Sequence, residues 1–169
     1  MSELGKGRSL LREGLLVGLV GATVVAVWFL LLDVVRGTPL QTPGALGSAL
    51  FLGAREAGAI QVTAWTVGLY TVVHGAAFAL VGLVAAGLLR SADRTPSTVA
   101  FLVLATAVLE VLFVGGVAIA AEFLLGFMAW WTVLGGNLLA SLAMGVLLLH
   151  WHPLTADRLR HAGEALPQA

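Results

Sequence analysis

The fold this sequence predicts is an all-α membrane protein: a four-helix transmembrane bundle, N-in/C-in, with a short interfacial helix in the outer loop between spans 1 and 2. Three observations carry that expectation. The 169-residue chain is 59% hydrophobic and only 11% charged, against about 45–50% and about 25% in soluble domains. Four segments are long and apolar enough to cross a bilayer, which takes roughly 20 residues as a helix. The basic residues gather on one side of those segments.

The spans are expected at about Gly14–Val35, Val62–Leu89, Val99–Gly126 and Ala129–Leu149. Each is far longer than a strand, and open sheet edges are not tolerated in lipid. The first begins after Lys6, Arg8 and Arg12 and carries Val24-Val25-Ala26, which fits a cleavage rule. Its apolar run continues through Trp28-Phe29-Leu30-Leu31-Leu32 without a polar region before that point, so it reads as an uncleaved membrane helix. Residues 1–13 form an N-terminal cytoplasmic segment, 14–152 the membrane domain and 153–169 a cytoplasmic tail.

Orientation follows from the flanks. With the N-terminus inside, Lys6, Arg8, Arg12, Arg90, Arg94, Arg158 and Arg160 lie inside, and only Arg36 and Arg55 outside. Trp130-Trp131 then sit at the outer interface and Trp151 at the inner one. The composition, rich in Ala, Gly, Leu and Val with Arg far ahead of Lys, points to a high-GC bacterium and hence to the bacterial cytoplasmic (inner) membrane. A net charge of zero provides no footprint for nucleic acid. The absence of cysteine removes disulfides, thiolate metal sites and cysteine nucleophiles.

The outer loop, Arg36 to Gln61, is the long one. Within it Thr42-Pro43 reads as an N-cap followed by proline at the first helical position. Gly44–Leu52 is apolar but too short to span, so a helix on the outer surface or in the headgroups is expected there. Lipid provides no hydrophobic drive for helix association, and close backbone approach matters instead. Small residues line Gly14, Gly18, Ala22 and Ala26 of the first span, and Gly75, Ala79, Gly82 and Ala86 of the second. Asn137, Ser141 and Gly145 form a third seam. Each seam suits packing within the bundle or against a second copy or a partner membrane subunit.

Polar residues at membrane depth are the functional candidates, since an ionised group there costs about 2.5–3.5 kcal/mol or more. His74, Glu110 and Asn137 fall near one layer, with Tyr70 and Phe78 flanking His74 and Thr106 one turn before Glu110. This set reads either as buried hydrogen bonds that fix register, as a proton or ion relay, or as a site for haem, quinone, metal or another ligand. Asn137 is expected to donate between helices. Asp33 and Glu122 are outer-mouth candidates, with Asp33 also placed to pair with Arg36. His150 and His152, two apart on a helix, do not share a face and read as a polar helix end.

No Walker motif, nucleophile elbow or zinc-protease motif is present. No span carries a row of arginines, and no paired helix breaks of the transporter kind occur. The function expected first is therefore a non-enzymatic accessory or scaffolding subunit associating with other membrane helices. A proton- or ion-conducting or transport protein using Glu110 and His74 comes next, then a membrane module binding a cofactor at His74.

Overall fold

The structure is a computed structural model and describes residues 9–94, 130–153 and 157. These residues form helices and no strand. Helix α1 spans Leu10–Val35, the short α2 Gln41–Phe51, α3 Ala64–Arg94 and α4 Trp130–Trp151, with one 3-10 turn at Ala57–Ala59. Helices α1, α3 and α4 are long and apolar enough to cross a membrane. The third expected span, Val99–Gly126, lies outside the described residues.

Helix α1 starts four residues before the expected Gly14. Ser9 caps it, its hydroxyl accepting from the Arg12 amide at 3.3 Å, the usual way to satisfy an orphan N–H in the first turn. At the other end Arg36 closes the helix and Gly37 takes φ +76, a left-handed step that glycine makes without a Cβ clash.

Helix α1 is the centre of the described fold. It packs along both α3 and α4, whereas α3 and α4 barely touch each other. It runs antiparallel to both: Glu13 meets Arg90 and His152 at one end, and Trp28 meets Thr132 at the other. Successive helices α3 and α4 therefore run in the same direction.

The α1–α3 seam is a backbone contact. A Cβ on Gly18 would lie 2.8 Å from the Ala79 Cα and closer still to the Phe78 carbonyl. One on Gly14 would meet the Leu83 Cα at 2.6 Å, and one on Gly82 the Gly18 Cα at 2.8 Å. Only glycine permits this approach. Beside it Val17, Ala86, Leu89, Met144 and Leu148 form the main apolar core, with Phe78 and Trp151 packed against it.

The expected seams are thus met in part. Gly14, Gly18, Ala79, Gly82 and Ala86 are at the helix contact, and Ala22 is buried. Ala26 is exposed, and no atom stands within 4 Å of a Cβ on Gly75 or Gly145. On α4 the buried face is Val133, Asn137, Ala140, Met144 and Leu148 instead of Asn137, Ser141 and Gly145. Its glycine contact is Gly135-Gly136 against the Trp28 ring, and Trp28 Nε1 donates to the Thr132 carbonyl at 2.8 Å.

The short helix expected between the first two spans exists, but its cap is not Thr42. Helix α2 begins at Gln41 after Leu40, which holds φ +65. Its first-turn donors are all accounted for. The Gln41 amide donates to the Thr38 carbonyl at 3.1 Å and the Gly44 amide to the Leu40 carbonyl at 3.0 Å. Pro43 has no N–H, and the Thr42 amide donates to Asp33 Oδ2 at 2.7 Å. A carboxylate from α1 does what a local cap would do. Helix α2 then leans on the start of α3, where Gly47 lies against the Thr66 backbone and Gly44 against Val62.

Helix α3 opens on a reciprocal pair of threonines. The Thr66 amide donates to Thr63 Oγ1 at 3.2 Å, and the Thr63 amide to Thr66 Oγ1 at 3.1 Å. This is a capping box with threonine in the place usually held by Glu or Gln. Ser48 of α2 joins it through the Gln61 backbone: its hydroxyl accepts from the Gln61 amide at 3.0 Å, and Thr66 Oγ1 donates to the Gln61 carbonyl at 2.7 Å.

Candidate functional site

Ionisable and polar side chains are distributed at three levels along α1. At the first, Glu13 is buried to 3% exposure. Its Oε2 accepts from Arg90 Nη2 at 2.6 Å and Nε at 3.1 Å, and its Oε1 lies 2.5 Å from His152 Nε2. One carboxylate therefore joins α1, α3 and the end of α4. Charge-assisted bonds of this length are among the stronger ones in proteins. Arg90 keeps about a third of its side chain exposed, so water screens part of that attraction.

At the second level is His74. Its Nε2 lies 3.1 Å from the Ala22 carbonyl, a bond in which nitrogen donates. The neutral ring then carries its proton on Nε2 and leaves Nδ1 as an acceptor. Tyr70 stacks on it at 5.7 Å between centroids, and Phe78 lies tilted against it at 4.8 Å. These are neighbours one turn apart on α3. His74 is ten residues into α3, about 15 Å at ~1.5 Å per residue, which puts it deep in the span.

At the third level is Asp33, 1% exposed. Its Oδ1 accepts from the Thr42 hydroxyl at 2.7 Å, and its Oδ2 from the Thr42 amide. The expected pairing of Asp33 with Arg36 is not what forms. The turn at Gly37 brings Thr42 back over Asp33, while the Arg36 backbone closes α1.

Asn137 is 8% exposed on α4, and its Nδ2 has no hydrogen-bond partner among the described residues. It does not make the interhelical donation expected of it. Its neighbour Gly136 stands against Trp28, which places Asn137 one to two turns nearer the Asp33 end than His74. Tyr70 lies at that same depth, one turn above His74. Glu110, Thr106 and Glu122 lie outside the described residues.

Glu13, Arg90 and His152 form a cluster that sequence reasoning passed over. Glu13 lies one residue before the expected start of the first span; in the structure it falls in the first turn of α1, where the helix dipole favours an acid. A signal was present: Glu13, Val17 and Gly21 repeat at intervals of four, and that face is the buried one. His150 is exposed and His152 turns to Glu13. Among the described residues no group of three metal-ligating side chains gathers.

No protein-family model, no curated protein and no solved structure matches this chain.

Proposed function

We propose that the chain is a small four-span protein of the bacterial cytoplasmic membrane, both termini inside, that serves without catalysis as an accessory or scaffolding subunit for other membrane helices. The observation that carries this reading is the use made of the buried ionisable groups. Glu13 holds three helices, His74 ties α3 to the α1 backbone, and Asp33 holds α2 to α1. Each acts on architecture.

Direction supports the fourth crossing. Helix α3 ends at the Glu13 end, where α4 also ends, and α4 begins at the Trp28 end. Two helices running the same way on either side of the undescribed stretch are what a four-span chain would show. Arg12 and Arg90 at the Glu13 end support its being the inner one. Partner association is supported by open small positions. A Cβ on Gly68 or Gly75 of α3, or on Gly145 of α4, would meet no described residue within 4 Å, which suits close approach by a further helix, of this chain or of a partner.

Two measurements test this. The chain has no cysteine, so single cysteines at Ser2, Arg55 and Gln168 are unique labels. Ser2 and Gln168 should be shielded from an impermeant maleimide in intact cells, and Arg55 labelled. For association, single-molecule photobleaching in nanodiscs prepared directly from native membranes should find two or more copies, or a stoichiometric second chain. A lone monomer there, with no companion, overturns the accessory reading.

A further inference from the structure

Two polar atoms on adjacent turns of α3 have bonding capacity that the described protein does not fill. His74 is fixed by its Nε2 on the Ala22 carbonyl, which orients the ring and presents Nδ1 as a bare acceptor. Among the described residues the Tyr70 hydroxyl makes no hydrogen bond, and its ring stacks on His74. A third group at this depth, the Asn137 amide, is more than nine-tenths buried and equally unpartnered. An unfilled polar group in an apolar surround is costly, and one ligand that bonds both Tyr70 and His74 would relieve that cost at each.

We infer that Tyr70 and His74 bind a lipid-soluble phenol or hydroquinone. The atoms dictate the chemistry. A ring hydroxyl donates its proton to His74 Nδ1, and its oxygen accepts the Tyr70 proton. A ketone or ether can take the second bond but not the first. The surround selects a ring, because Tyr70, His74 and Phe78 present three successive aromatic faces on one side of α3. The depth selects a lipophilic molecule, which arrives through the bilayer past the exposed Val72 and Gly75.

The test uses the full chain in lipid nanodiscs and a tritiated decyl-hydroquinone, with empty nanodiscs subtracted. Saturable binding near one per chain is expected. The dimethyl ether of the same probe, which cannot donate to Nδ1, should bind about 3- to 10-fold more weakly, the worth of one hydrogen bond. Tyr70→Phe should weaken the hydroquinone by a similar factor. Among the described residues the Tyr70 hydroxyl holds nothing, so this variant should keep the parent's thermal stability, which the same samples check, and a loss of binding is then a loss of the site. Uptake that never saturates overturns the inference. So does equal affinity for the ether, or an unchanged affinity in Tyr70→Phe.

Discussion

Two carboxylates stand at opposite ends of α1, both almost fully buried, and they do different work. Glu13 is held by Arg90 of α3, 77 residues away, and by His152 just past α4, 139 residues away. Asp33 is held by Thr42, nine residues on, through one amide and one hydroxyl. The first fixes how helices sit against one another. The second fixes how one helix turns into the next. Equal burial therefore says little about the role of an acid; the sequence distance to its partners says more.

The largest test of this contrast lies between the two ends. Gly82→Leu puts a side chain into the Gly14 and Gly18 backbone. Overpacking of this kind costs about 3 kcal/mol or more where backbone cannot yield, and the α1–α3 pair should separate. The unfolding midpoint in a mixed-detergent titration should collapse; a change under ~1 kcal/mol would show that the seam is not the contact described.

Glu13→Ala comes next. It leaves Arg90 and His152 facing each other without the anion. Breaking a buried pair costs about 3–5 kcal/mol, and the exposed part of Arg90 lowers this to about 2–3 kcal/mol by screening. Spin labels on the ends of α1 and α4 should report a wider and broader distance distribution. An unaltered distribution would mean that apolar packing alone sets this end.

Asp33→Ala should cost about 1–2 kcal/mol, the range for losing a helix cap. The effect should be confined to α2: faster amide exchange at Thr42 and Gly44, with the α1–α4 end distances unchanged. Spread of the effect to the Glu13 end would erase the distinction between a local and a long-range acid. Smallest is Leu40→Gly. Leu40 holds a left-handed conformation that costs a residue with a Cβ about 1–2 kcal/mol, so glycine should raise stability by about 0.5–1 kcal/mol after its own entropy is counted.

Three of the four expected spans were legible because hydropathy is a sum over many residues and tolerates ignorance of every contact. The short helix α2 was legible for the same reason, since Gly44–Leu52 is apolar and too brief to span. Its cap was not. Thr42-Pro43 fits a local capping rule, and the structure overrides it because Gly37 folds the chain back within reach of Asp33. The Glu13 cluster was illegible in a different way: nothing near residue 13 announces partners 77 and 139 positions later. The small-residue seams were half legible, since spacing shows a face but not what lies opposite. Ala26 and Gly75 continue their stripes past the point where the crossing helices part.

The order in which the Glu13 cluster is completed follows the order of synthesis. Helix α1 leaves the ribosome first and carries an anion with nothing to answer it. Arg90 arrives when α3 is made, and the second oxygen waits for His152, after the last long helix. Until then one carboxylate oxygen has its partner and the other has none, so the cluster is complete only when the chain has been made through residue 152.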